Sequence, residues 1–195
     1  MNTEGIILAA GHSSRMGVSK LELPFGDKTV IVQTVCSLLP FSSKIILVCG
    51  KQVDSLQKLM RPYPKVQTIY NENFEQGMFT SVQKGVASIT GDSFFLLPGD
   101  HPLIARSTFT ALLSAAEKYQ DRAVFVPRCE QHKGHPILLR KSIINTILKA
   151  PKDTTLRHVL VSQKPIFVDV NDEGILRDID TREDYEVVAG LRDLT

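Results

Sequence analysis

Two glycines and two cations follow directly on an apolar run near the start of the chain. Ile6, Ile7, Leu8, Ala9 and Ala10 lead into Gly11, and the stretch to Lys20 then carries Ser13, Ser14, Arg15, Gly17 and Ser19. This combination suits a polyphosphate ligand. Glycine lets the backbone approach anionic oxygens and adopt positive φ, the N–H groups of a tight turn point at the anion, and Arg15 and Lys20 add fixed positive charge. Two common nucleotide loops are excluded. Gly11 is followed by His12 and Ser13, which breaks G-x-G-x-x-G, and Val18 follows Gly17, which breaks G-x-x-x-x-G-K-[ST]. A plain Gly/Ser turn with solvated cations is the structural alternative.

Acidic residues occupy positions where a cation would help such a ligand. Asp100 lies in Pro98-Gly99-Asp100-His101-Pro102, a turn stiffened by two prolines. A rigidly held carboxylate there suits Mg²⁺, which keeps several waters and bridges one or two carboxylates to substrate phosphates. An Asx-turn, with Asp100 bonding the following backbone, is the other reading. Asp178 and Asp180 stand two apart near the end and would share a strand face. Thr181, with Asp184 three residues on, also fits a helix cap. A helix start over residues 77–81, including Gly77 and Ser81, offers free N–H groups to a base carbonyl, a ribose or a phosphate. Arg128, His132, Lys133 and His135 form a basic stretch suited to an anionic second substrate, although a lone histidine is more commonly a packed structural residue. His12, His101 and His158 have no histidine partner at helical i, i+4 spacing, which argues against zinc.

The elements that must position these groups alternate in type. Strands are expected over residues 6–10, 44–49, 66–70, 93–97 and 122–126, and helices over 29–39, 53–60, 77–89 and 107–119. This is the βαβ rhythm of a mostly parallel sheet layered by helices, a Rossmann-like three-layer sandwich. Further on, a short strand at 136–139 and short helices at 141–148 and 154–161 precede two strands, 166–170 and 175–179. The turn Asn171-Asp172-Glu173-Gly174 joins these last two as a hairpin, bringing antiparallel character to the sheet. Ligands of open α/β sheets sit beyond the carboxyl ends of strands, so the loops after Ala10, Tyr70, Leu97 and Ile179 are where chemistry belongs.

Composition sets the limits. With 195 residues, 43% of them apolar, the chain suits a single domain over residues 1–195. Lys and Arg number 23 against 21 Asp and Glu, so the net charge of +2 provides no general field for nucleic acid or an anionic membrane. The early apolar run is too short and lacks a basic flank, and no later run approaches a membrane span, which places the protein in the cytoplasm. Cys36, Cys49 and Cys129 are odd in number and widely spaced, against a disulfide framework and a cysteine zinc site.

The pattern L-A-A-G-x-x-x-R-M-G-x-x-K from Leu8 to Lys20 resembles the signature loop of the MobA-like NTP transferase family, and within it the molybdenum cofactor cytidylyltransferase-like (MocA-like) branch. Leu97 to Pro102 is similar to the family's L-x-x-D-x-P turn, and Asp178 to Tyr185 to its terminal D-x-D-T-x-E-D-Y motif. The resemblance implies the nucleotide-diphospho-sugar transferase (GT-A) fold and Mg²⁺ on Asp100 and Asp180. It implies transfer of a nucleoside monophosphate to a phosphorylated acceptor, with Arg15, Lys20 and Asp100 as the catalytic groups. Leu8, Ala9, Ala10, Gly11, Arg15, Lys20, Asn71, Gly77 and Ser81 would border the nucleotide. His101, Gly134 and His135 would face the acceptor. Ala10 gives the L-A-A-G form associated with cytidylyltransferases, which favours CTP and a molybdopterin-type acceptor, with a molybdenum hydroxylase or its maturation factor as protein partner. His101 replaces a frequent Gln and Arg182 a frequent Pro, departures that bear on the acceptor. A sugar-phosphate or alditol-phosphate nucleotidyltransferase, and a non-catalytic nucleotide or cofactor carrier for molybdoenzyme maturation, are the alternatives.

Overall fold

The computed structural model describes residues 1–11 and 19–192. In chain order the elements are β1 (Thr3–Ala9), a 3-10 turn (Lys20–Glu22), β2 (Pro24–Phe25), β3 (Lys28–Thr29), α1 (Val30–Leu38), β4 (Ile45–Cys49), α2 (Val53–Met60), β5 (Val66–Tyr70), α3 (Met78–Val86) and β6 (Ser93–Pro98). They continue as α4 (Arg106–Lys118), β7 (Val124–Cys129), β8 (His132–Lys133), β9 (Ile137–Arg140), α5 (Ile144–Lys149), α6 (Leu156–Val161), β10 (Ile166–Asp169), a 3-10 turn (Glu173–Leu176) and α7 (Arg182–Arg192).

Strands β1, β4 and β6 are near-continuous apolar runs because both of their faces are covered. Alternate residues serve opposite layers. Ile7, Leu47, Phe95 and Leu97 pack with Val35, Phe109 and Leu112 of α1 and α4, while Ile6, Leu8, Phe94 and Leu96 pack with Val82, Val86 and Ile147 of α3 and α5. The expected three-layer α/β sandwich is therefore the observed one. Among the described residues the sheet runs β10-β7-β9-β6-β1-β4-β5, with β8 attached to β7. β1 pairs in parallel with both β4 and β6, so their carboxyl ends lie side by side.

The antiparallel character has a different origin from the one expected. β9 runs antiparallel between β6 and β7, whereas β10 lies parallel to β7 and no strand forms over residues 175–179. The expected hairpin is thus replaced by a buried carboxylate and a 3-10 turn. Asp172 accepts hydrogen bonds from the backbone N–H of Gly174 at 2.9 Å, that of Ala105 at 2.9 Å and the hydroxyl of Thr108 at 2.6 Å. Those bonds turn the chain at Asp172 and fasten it to the start of α4, carrying Ile175 into the core instead of back along β10. Replacing Asp172 by Ala strands buried donors and is expected to lower the unfolding free energy by about 3 kcal/mol, read by urea denaturation.

Candidate active site

The carboxyl ends of β1 and β6 open onto a cleft of about 700 Å³. Leu8, Ala9, Ala10 and Gly11, at the end of β1, all line it. A Cβ placed on Gly11 would meet no atom of the described residues within 4 Å, and Gly11 lines the cleft. Gly77 lines the same space at φ +111°, a conformation that glycine alone adopts readily, and it hands the chain into α3 with Ser81 one turn further on.

Charge is concentrated at one point of the cleft. Lys20 begins a 3-10 turn whose next residue, Leu21, is buried and anchors it. Its ammonium lies 2.6 Å from Asp100 Oδ2 and 2.8 Å from Asp180 Oδ1, so two carboxylates distant in sequence converge on one cation. Asp100 Oδ1 is in turn 3.0 Å from Nδ1 of His101. Burial pushes the Asp100 carboxyl up, but the His101 hydrogen bond and the Lys20 charge outweigh it and bring its pKa down to about 2. Burial likewise works against the Lys20 ammonium, and the two carboxylates reverse that, leaving its pKa raised.

Asp180 is held in place by a helix cap. Thr181 Oγ1 accepts from the Asp184 backbone N–H at 3.1 Å, and the Asp184 carboxylate accepts from the N–H of Thr181 at 2.8 Å and of Asp180 at 3.2 Å. Tyr185 donates to the carbonyl of Pro24 at 2.6 Å, which ties α7 to the β2–β3 hairpin beside Lys20. The cap and the acid are parts of one device.

The far end of the cleft is formed by Lys133, Gly134, His135, Ile175 and Leu176. Gly134 has no room for a side chain because a Cβ would collide with the carbonyl of Ile175. The His101 and His135 rings meet edge to face, with centroids 5.2 Å apart. Burial, with His101 beside it, pushes the His135 pKa down to about 3, so the ring is neutral near pH 7. Its Nδ1 is closed off from solvent and has no hydrogen-bond partner among the described residues. Because the folded pKa lies below the unfolded value of roughly 6.5, only the unfolded chain takes up this proton as pH falls. The contribution is absent above that pH and destabilising below it, until the folded ring titrates near 3. Urea unfolding at pH 7 and pH 5 is expected to show a loss of about 2 kcal/mol in the native protein that His135→Gln removes.

Residues 5–166 match the MobA-like NTP transferase domain. The chain belongs to that family. The molybdenum cofactor cytidylyltransferase of Escherichia coli (strain K12) is 31% identical over 180 residues, covering 92% of each chain. A probable molybdenum cofactor guanylyltransferase of Carboxydothermus hydrogenoformans is 25% identical over 197 residues, covering 92% of this chain and 91% of that one. The fold superposes on Rv0371C of Mycobacterium tuberculosis H37Rv in complex with manganese, with a TM-score of 0.75 at 20% identity, over 97% of this chain and 99% of the other.

In this MobA-like domain the cleft gathers Leu8, Ala9, Ala10, Gly11, Lys20, Gly77, Ser81, Asp100, His101, Gly134, His135 and Asp180. Arg15 lies outside the described residues. Asn71 stands behind the cleft. It is buried, its amide donates to Thr80 at 3.0 Å and Ser81 at 2.9 Å, and its oxygen accepts from the Asn73 N–H at 3.0 Å, so it positions Ser81 at the wall. Sequence reasoning missed Ile175 and Leu176. The Asp172-x-Gly174 spacing, an Asx-turn in the structure, was the available signal. The described residues hold no cluster of three or more His, Cys, Asp or Glu able to bind a metal. Two carboxylates already sharing one cation do fit Mg²⁺, which completes its shell with water and phosphate. Cys49 is a core thiol, pushed up to about 12 by burial, and among the described residues no helix is long and apolar enough to cross a membrane.

Proposed function

We propose that this MobA-like transferase moves CMP from CTP to the phosphate of a molybdopterin-type acceptor in the cytoplasm, as one domain, with Asp100 and Asp180 holding Mg²⁺. The convergence of those two carboxylates on a single cation, in a cleft that residues 8–11 also line, carries the reading. An acceptor phosphate oxygen attacks the α-phosphorus in line, the bond to the β-phosphate oxygen breaks, and pyrophosphate leaves with the electron pair. A phosphate nucleophile is already ionised near pH 7, so the protein needs no strong base, and its work is positioning and charge neutralisation.

Residues 8–11 hold the triphosphate against their backbone, and Gly77 and Ser81 border the nucleoside. Arg15 and Lys20 meet the charge growing on pyrophosphate. The metal, when bound, withdraws electron density from the α-phosphoryl oxygens. His101, Gly134 and His135 shape the acceptor end. Ala10 in the L-A-A-G loop favours CTP over GTP, the manganese in the mycobacterial structure supports a divalent ion, and the E. coli relative supports the pterin acceptor. Pyrophosphate release should be measured with Mg²⁺ across CTP, GTP, ATP and UTP, each with molybdopterin or a panel of sugar phosphates. Release that requires CTP and molybdopterin together is the expected result. Release only with a sugar phosphate reassigns the acceptor, and tight nucleotide binding without release makes the protein a carrier.

A further inference from the structure

Basic side chains gather on β7, β8 and the chain that follows, beside the cleft, and most are already committed. Arg128 grips Asp169 at two points, Nε to Oδ1 at 2.7 Å and a terminal nitrogen to Oδ2 at 3.0 Å, so its charge is cancelled where it stands. His135 is neutral. His132 Nδ1 lies 2.9 Å from the carbonyl of Glu130 in its own turn. Lys133 differs from all three. It lines the cleft, as Arg128 does not, and its ammonium sits 4.4 Å from the centre of the Phe167 ring, which the Asp169-bound Arg128 guanidinium also approaches at 5.8 Å; the ring supports the Lys133 cation without cancelling its charge.

The local fold is built to hold that arrangement. β7 turns into β8 through Glu130 and Gln131, at φ +46° and +69°, a two-residue turn that usually demands Asn and Gly. Such strain at non-glycine residues persists where the surroundings over-determine it. The register sets Lys133 opposite Arg128, and Arg128 opposite Asp169, with Phe167 two residues before Asp169 on β10. All four therefore share one face of the sheet. From Lys133 the chain runs through Gly134 to His135, whose ring packs on His101, the neighbour of Asp100.

We propose that Lys133, held over the Phe167 ring, is the ligand for the phosphate of the second substrate, a phosphomonoester dianion. The identification of that anion as the acceptor rests on the nucleotidyl-transfer reading; the anion subsite itself does not. Phe167 is a positioning residue. One ammonium contacting the dianion leaves another phosphate oxygen free to attack.

The test combines direct binding with kinetics. Phenyl phosphate is titrated calorimetrically into protein whose nucleotide site is filled with the α,β-methylene analogue of CTP and Mg²⁺. Affinity is expected to fall about tenfold or more in Lys133→Gln, to hold within about threefold in Lys133→Arg, and to fall about threefold in Phe167→Leu. With CTP and molybdopterin as substrates, Lys133→Gln should raise the acceptor KM by about tenfold while the KM for CTP holds. Phenyl phosphate binding that is absent in the native protein, or unchanged in Lys133→Gln, overturns the subsite. Turnover with an acceptor KM unmoved by Lys133→Gln also overturns it and leaves the transfer reading standing. Lys133-dependent binding without turnover under any pairing supports the subsite and sinks the transfer reading.

Discussion

Replacing Asp100 by Asn is expected to slow pyrophosphate release by about a thousandfold or more, roughly 4 kcal/mol of barrier, while leaving the protein folded. The substitution preserves size and a carbonyl oxygen but removes the negative charge at the one point where the cleft concentrates it. In the native protein that charge survives burial because Lys20, at 2.6 Å, and His101, at 3.0 Å, both stabilise it. With Asn the ammonium loses one of the two carboxylates that converge on it, and so does a divalent ion held there. Nucleotide binding should change far less than turnover, because the cleft lining at residues 8–11 is untouched and Lys20 is released from Asp100 towards the phosphates. The comparison needs turnover, CTP affinity and thermal unfolding on the same preparation. A rate within tenfold of the native one would mean that Asp100 is a structural turn residue and that the metal assignment is wrong.

The sequence made the sheet legible because its central strands are covered on both faces. Ile6 to Ala10, Ile45 to Cys49 and Phe94 to Leu97 are unbroken apolar runs, and the carboxyl ends of the first and third mark the cleft. Pairing across the fold was not legible. Lys20 and Asp180 lie 160 residues apart and meet because Tyr185 and Val188 dock α7 beside the β2–β3 hairpin, Tyr185 on the carbonyl of Pro24 and Val188 in a cluster with Phe25. Two readings of residues 178–185 stood as alternatives, a cap and a ligand. The structure shows the cap, and the bonds that satisfy Thr181 and Asp184 also fix the backbone of Asp180 beside Lys20; the ligand role belongs to the proposal. A shared strand face for Asp178 and Asp180 had no basis, because that segment is not a strand. The hairpin over residues 166–179 failed for a tertiary reason: Asp172 finds better donors in α4 than a hairpin turn supplies. Asn71 was legible as a residue of the loop after β5, but its bonds to the hydroxyls of Thr80 and Ser81, which turn its amide towards α3, were not.

Lys20→Met is expected to move two measurements in opposite directions. Turnover should fall by about a hundredfold or more, because a fixed cation that meets the charge on pyrophosphate is lost. The affinity of the nucleotide-free protein for Mn²⁺ should rise by about tenfold, because the ammonium stands between Asp100 and Asp180 where a divalent ion would bind. Methionine keeps the length and apolar stem of lysine, so the packing changes little, yet two carboxylates are left facing one another without their shared partner. Removing one member of a largely buried pair lowers stability by about 3 kcal/mol, and added Mn²⁺ should restore much of that in the variant. Electron paramagnetic resonance of free Mn²⁺ reads the affinity without any catalytic assay. In the native protein CTP should strengthen Mn²⁺ binding, since a triphosphate draws the ammonium off the carboxylates as it enters; in Lys20→Met that gain should be smaller. Mn²⁺ affinity that is unchanged or weaker in the variant would show that Asp100 and Asp180 do not share a metal with Lys20 in competition. Turnover that survives the substitution would remove Lys20 from the chemistry and leave the charge on pyrophosphate to Arg15.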